Sequence, residues 1–378
     1  MNYQIKDWAR VRIGVICPNF PPATFEGGVS HYSEILTKNL LALGHKIYAF
    51  TSTEFIKPTG EANVWPGLKT ISIEGPWVGA SVLKIKKISI QKRIDVLILQ
   101  YAPASFGNSF RIAWALTKFP CQKITSFHTL WGRGFDRVLG IMVLYGSSKI
   151  IATNSEIMCL LERHFPSLLN RTYWIPIGSN ILPSRQYITP NRLYDSLICY
   201  FGMLYPGKGL ELILDTLEEL KRKGVRYTFK FIGDGIIYFN TYTNLFLRSI
   251  QRRRLDDEVE WLGQLPADDV SEWLSKSRFV FLPYEKGLSD RRGSFMAAIA
   301  HGKAVLTSPP IVPMEFLKNG INVIWPNENS LPAYTEMAAR LLRDDEIVAR
   351  LQNGAYDLYQ RFRWEKIAKE YELVARHG

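Results

Sequence analysis

The sequence has 378 residues, 47% hydrophobic and 22% charged, with a formal net charge of +12. That length holds two domains of ordinary size, and that balance excludes a disordered chain. No run of about 18 uncharged apolar residues occurs, so no membrane-spanning helix is expected, and the basic excess points to an anionic partner: nucleotide, nucleic acid, phosphorylated substrate or acidic membrane surface.

The opening stretch MNYQIKDWARVRIGVICPNF lacks the charged segment, apolar core and small-residue cleavage site of a signal peptide. Buried strands are expected at RIGVIC, KIYAFTS, DVLILQYAP, KITSFHT and KIIATNS, each rich in Ile, Val or Leu. Helices are expected between them, for example over 30–43 and 155–164. Strands alternating with helices imply a parallel sheet covered on both faces. Residues 175–195, with three prolines and little periodicity, read as an interdomain connection. The alternation then restarts with SLICYFGML, YTFKFIGDG, VEWLGQL, RFVFLPY, KAVLTS and NVIWP, and from Tyr334 onward the pattern is helical. The expected fold is α/β, with two doubly wound halves and a helical tail. Cys17, Cys121, Cys159 and Cys199 lie far apart in apolar segments, so buried reduced thiols and a cytoplasmic compartment are expected, with no metal site.

Ligands of open parallel sheets bind beyond the carboxyl ends of the strands, which directs attention to four loops. Gly27 and Gly28 open a helix after the first strand, where free amides attract anions; a plain turn with Ser30 as the cap is the competing reading. Gly202 ends a strand that runs into Tyr205-Pro206-Gly207, Lys208, Gly209 and an amphipathic helix bearing Leu210, Ile213, Leu214 and Leu217. A lysine there opposes the helix dipole, a conflict that a bound phosphate removes. Gly233, Asp234 and Gly235 form a tight turn at a strand end, a ligand contact or a structural turn. Finally Arg291 and Arg292 precede Gly293 and Ser294 at the start of a helix that stops at Gly302. The competing reading is an exposed basic pair.

At these residues the chain resembles the retaining GT-B glycosyltransferases of family 4. GGVSHYSEILTKNLLALGH, WIPIGSN, FGMLYPGKGLELILDTL, FIGDG, WLGQLPADDV and AAIAHGKAVLTS follow the order of that family's landmarks over most of the chain. The resemblance implies two Rossmann-like domains facing across a cleft, over 1–185 and 186–360, with a C-terminal helix near 361–378 packing back on the first. It implies a nucleotide-sugar donor, transfer with retained configuration, and no cofactor or essential metal. By match, Lys208 contacts the donor diphosphate, Gly28 approaches it from the other domain, Gly263, Gln264 and Leu265 line the base pocket, and His128 faces the donor sugar. A histidine merely satisfied by hydrogen bonds at a strand end is the alternative for His128.

Two departures stand out. The paired glutamates usual in this family, separated by seven residues, are replaced by Ser289 and Ala297, with Asp290 as a substitute for the first. The usual basic residue between Gly202 and Lys208 is replaced by Met203. The chain resembles a sub-branch with an RRGS arrangement, in which Arg291 or Arg292 supplies the missing cation. The resulting expectation is a hexosyltransferase using UDP-glucose and a glycan or lipid-linked saccharide acceptor in cell-surface polysaccharide biosynthesis. A degenerate, non-catalytic nucleotide-sugar-binding protein and a UDP-sugar epimerase are the alternatives. Lys84, Lys86, Lys87, Lys92 and Arg93 beside Val82, Leu83, Ile85 and Ile88 suggest either peripheral contact with anionic lipid on the inner membrane face or an ordinary helix with solvated lysines. Arg111, Trp114, Lys118, Arg133 and Arg137 add basic and aromatic character to the same domain, and no nucleic-acid-binding motif accompanies the charge.

Overall fold

The computed structural model describes residues 10–21, 27–53, 65–74, 77, 79–106, 119–130, 136–183, 196–235 and 240–376. The chain divides into two compact units, Met1–Gly178 with Trp364–Gly378, and Ser179–Arg363.

The first unit is built on a seven-stranded sheet: β1 (Arg12–Ile16), β2 (Lys46–Ser52), β3 (Leu68–Ile73), β4 (Val96–Tyr101), β5 (Gln122–Phe127), β6 (Lys149–Ala152) and β7 (Thr172–Trp174). Their order is β3-β2-β1-β4-β5-β6-β7, and every pairing is parallel. Alternate residues of the central strands enter two different cores. Leu97 and Leu99 join Val82, Ile85, Val143 and Leu161 on one face. Val96 and Ile98 join Leu36, Leu40, Ile367 and Tyr371 on the other. β4 is buried at every position, as expected of a strand covered on both sides.

Two strands escaped the sequence reading. β3 is buried only at its two ends, Leu68 and Ile73, at one edge, and β7 has only three residues at the other. The basic stretch with two readings, lipid contact or ordinary helix, lies on helix Gly79–Gln91. Val82 and Ile85 are buried and Ile88 is half-buried against the core, whereas Leu83, Lys84, Lys87 and Ile90 are exposed. Arg111, Trp114, Lys118 and Arg133 lie outside the described residues, as does much of the expected connection, while Arg137 is exposed on helix Asp136–Gly146. Among the described residues no helix is long and apolar enough to cross a membrane. All four cysteines are free thiols; Cys17 and Cys199 are buried, but Cys121 and Cys159 only half so.

The second unit carries a five-stranded parallel sheet of β8 (Leu197–Phe201), β9 (Thr228–Ile232), β10 (Val259–Trp261), β11 (Phe279–Leu282) and β12 (Ala304–Thr307), in the order β10-β9-β8-β11-β12. The expected strand at NVIWP is instead two isolated bridges, Leu306 with Ile324 and Asn319 with Val323. Helix Leu210–Arg222 buries Leu210, Ile213, Leu214 and Leu217, the apolar stripe read from the sequence, and also Leu220. Helices Leu331–Arg343 and Asp345–Tyr359 complete the unit. Helix Trp364–Arg376 belongs to the first unit, where Trp364, Ile367 and Tyr371 enter its core.

Candidate functional site

In the second sheet the strand order reverses between β8 and β11, the position where open parallel sheets hold ligands. The loops leaving these two strands are locked together. Gly209 has φ +73° and caps the helix Leu210–Arg222, and a Cβ there would stand 1.8 Å from the carbonyl oxygen of Pro283. Only glycine tolerates both the left-handed backbone and that approach. The Gly207 amide donates to Glu285 Oε1 at 3.2 Å, a second tie between the loops.

Lys208 sits between these ties and is only 9% exposed. Its ammonium lies 4.9 Å from the ring centroid of Tyr205 and 5.8 Å from that of Tyr284. Burial first, then the charges of Arg292 and Arg291, lowers its pKa from 10.5 to about 8. Desolvation and repulsion by neighbouring cations both oppose the ammonium form.

Arg292 packs on the same tyrosine from the other loop, its guanidinium carbon 4.8 Å from the Tyr284 ring centroid. Its Nε is buried without a hydrogen-bond partner. The Tyr284 hydroxyl in turn meets Ser294 Oγ at 2.7 Å, and burial raises the Tyr284 pKa to about 12. Helix Gly293–Ala300 follows, with Arg292 at its N-cap, no side chain capping its amides, and open space beside Gly293. Arg291 is exposed, while Ser289 and Asp290 are buried to 1% exposure. Ala297 is fully buried in the core face of that helix, and Met203, in place of the usual cation, is 57% exposed.

The glycine turns at the ends of β8, β9 and β10 stack backbone on backbone. A Cβ on Gly233 would lie 2.1 Å from the carbonyl oxygen of Gly202, and the Gly233 amide donates to Gly263 O at 2.8 Å. The Asp234 carboxylate accepts from the Gly235 amide at 2.7 Å, and Trp261 Nε1 donates to Gly233 O at 2.8 Å. Gln264 is exposed and Leu265 half-buried just beyond.

In the first unit, Gly27 is the extended N-cap of helix Gly28–Ala42, whose amides have no side-chain cap. Ser30 does not cap: its hydroxyl donates to Asn19 O at 2.6 Å. His128 follows β5, touches Tyr32 edge-on at 4.7 Å one turn along from Gly28, and places Nε2 2.8 Å from Gln100 Oε1. Burial of the ring lowers its pKa to about 3, so it is a neutral imidazole at physiological pH.

The structure thus gathers Lys208, Arg291, Arg292, Gly293 and Ser294 at one sheet end, with Gly202, Gly233, Asp234 and Gly263 in adjoining turns. Gly27, Gly28 and His128 belong to the other unit. Sequence reasoning missed Tyr284, the ring that holds both Lys208 and Arg292; an aromatic at the end of the buried run RFVFLPY was its signal. It also missed Gln100, a polar residue at the end of the apolar run VLILQY.

Among solved structures, the chain is similar to sucrose-phosphate synthase from Thermosynechococcus elongatus, at 17% identity and a TM-score of 0.74, covering 97% of this chain and 99% of that one. A glycosyltransferase from Rickettsia africae gives 14% identity and a TM-score of 0.74, over 97% and 98% of the two chains. Anabaena HepE in complex with UDP and glucose gives 14% and 0.70, over 96% and 98%. These likenesses define the fold class as GT-B, two Rossmann-like parallel-sheet domains with C-terminal helices. Residues 195–344 match the family model described as Glycosyl transferases group 1, which spans the sheet end with the paired arginines. No curated protein sequence matches the chain.

Proposed function

We propose that the protein is a glycosyltransferase that binds a nucleotide-sugar diphosphate at Lys208, Arg292 and the start of helix Gly293–Ala300. The observation that carries this reading is a lysine brought into a buried site beside two arginines. The charged groups acting on Lys208 are Arg292 and Arg291, and both disfavour its ammonium. A dianionic ligand reverses that penalty. It also gives the buried Arg292 Nε an acceptor.

The chemistry follows from charge. As the glycosidic bond to the donor breaks, the diphosphate leaving group gains negative charge. Fixed cations and helix amides stabilise that change more than the ground state, which is binding that accelerates a reaction. One cation at about 4 Å and an effective dielectric near 20 interacts with a unit charge by roughly 4 kcal/mol before desolvation is subtracted. Arg292 takes the role of the cation absent at Met203, and Arg291 supports the field from the exposed side. The diphosphate charge is met by side chains rather than by a metal.

The finer assignment is retaining transfer of glucose from UDP-glucose to a saccharide or lipid-linked saccharide in cell-surface polysaccharide biosynthesis, at the cytoplasmic membrane face. The HepE complex with UDP and glucose lends support to the donor. His128 faces the donor sugar in this reading. A second reading, a nucleotide-sugar-binding protein without turnover, is favoured by Ala297, which is fully buried and has no group to hold a ribose. Incubation with radiolabelled UDP-glucose, alone and with saccharide acceptors, separates the two. Hydrolysis or transfer abolished by Lys208→Ala supports the enzyme. Tight binding by calorimetry with no product under any condition supports the second reading, and interconversion of the donor without acceptor indicates an epimerase.

A further inference from the structure

Gln100 ends the apolar part of β4 with a fully buried amide. Such a group is costly unless both its ends are bonded. Its Oε1 lies 2.8 Å from His128 Nε2. Its Nε2, also buried, has no hydrogen-bond partner among the described residues. Two hydroxyls meet that of Tyr371 close by: Ser126 Oγ at 2.6 Å and the Tyr32 hydroxyl at 2.9 Å. Tyr371 arrives on helix Trp364–Arg376, and the Tyr32 ring packs edge-on against both His128 and Trp364. An imidazole, an amide and three hydroxyls therefore form one buried cluster at the carboxyl ends of β4 and β5.

The two ends of the amide are not equivalent in this cluster. The carbonyl oxygen is the end within hydrogen-bonding distance of the ring nitrogen, and the amide nitrogen is bonded to nothing among the described residues. The carbonyl then faces the imidazole. A short contact between a carbonyl oxygen and a ring nitrogen requires the proton on that nitrogen.

We infer that Gln100 is a positioning residue for His128, fixing the tautomer with the proton on Nε2 and leaving the Nδ1 lone pair as an acceptor. On the reading that His128 faces the donor sugar, on which this consequence rests, the ring accepts a hydrogen bond from a sugar hydroxyl rather than donating one. Gln100 acts through His128 and does not itself touch substrate.

The tautomer is directly measurable. In the full chain labelled with nitrogen-15 histidine, long-range proton–nitrogen NMR at pH 7 reads both ring nitrogens, with His128 assigned by its loss in His128→Asn. The expected wild-type spectrum shows a protonated Nε2 and a lone-pair Nδ1; the opposite pattern overturns the inference. In Gln100→Leu, with folding checked by near-ultraviolet circular dichroism, the two nitrogens shift toward an average of both tautomers. The kcat for donor turnover then falls by about tenfold with KM unchanged, the scale of losing a partner that orients a ring. An unchanged spectrum in Gln100→Leu, or an unchanged kcat despite a shifted tautomer, overturns the positioning role. If that variant does not fold, the wild-type spectrum alone decides. The spectrum needs no turnover, so its outcome is separable from failure of the glycosyltransferase reading.

Discussion

The Arg292 guanidinium carbon lies 4.8 Å from the centroid of the Tyr284 ring, and the same tyrosine binds Ser294 in the first turn of the following helix. The pair sets the guanidinium in place before any ligand arrives. That pre-organisation matters because an arginine on an exposed loop loses much of its affinity to side-chain ordering.

Arg292→Ala is therefore expected to weaken UDP binding by about 1.5 to 3 kcal/mol, roughly ten- to a hundredfold, the scale of a hydrogen bond to a charged group. Tyr284→Phe keeps the ring and loses only the bond to Ser294, so its effect is smaller. Calorimetric titration with UDP checks both, and equal affinities for Arg292→Ala and wild type would contradict the site.

Lys208 gives a pH signature. Its folded pKa of about 8 lies below the ordinary 10.5, so between these values the unfolded chain holds more protons than the folded one. Stability without ligand from this group rises with pH through that window. At pH 7 the buried charge is a cost, and Lys208→Met is expected to stabilise the free protein on the order of 1 to 3 kcal/mol while removing UDP binding. In wild type the UDP affinity falls above pH 8, by at most about tenfold per unit for one required proton. Titrations at pH 8 in two buffers of different ionisation enthalpy should reveal proton uptake.

The interlock of the two loops predicts a contrast between neighbouring glycines. Gly209→Ala places a methyl 1.8 Å from Pro283 O in a left-handed backbone, whereas Gly207, with φ +91°, has open space beside it. Gly207→Ala carries only the backbone strain, about 1 kcal/mol. Gly209→Ala also displaces the β11 loop, and about 3 kcal/mol or more of destabilisation is expected. Denaturant unfolding of the two variants measures the difference.

His128 carries the opposite pH range. Its pKa is lowered to about 3 from 6.5, so stability from this group is fully present above pH 6.5 and is lost as pH falls toward 3. His128→Gln should flatten the acid limb of a stability–pH curve measured by thermal unfolding. No turnover transition near pH 6.5 should trace to this residue.

Much of this was legible in the residues because it rests on local chemistry. The glycines flanking Lys208 and the Arg291-Arg292-Gly293-Ser294 run announce helix starts with cations beside them. The run VLILQY announces a strand buried on both faces. Elements that depend on distant partners were not legible. β7 is three residues that become a strand only by pairing with β6, and NVIWP is apolar enough for a strand but finds only isolated bridges at Val323 and Ile324. The closeness of Tyr284 to Arg292 and the meeting of Tyr371 with Ser126, 245 positions apart, are products of topology that no window of sequence contains.

The return of helix Trp364–Arg376 to the first unit has a consequence for how the chain matures on the ribosome. Residues 179–363 are contiguous and hold their own core, whereas the first unit lacks Trp364, Ile367 and Tyr371 until synthesis has passed them. The half that is second in sequence can therefore finish folding first, and the half translated first waits with one sheet face covered only in part, by helix Gly28–Ala42. For that interval the part left open is a surface for chaperones to hold, and a stop codon anywhere before 364 leaves it open for good.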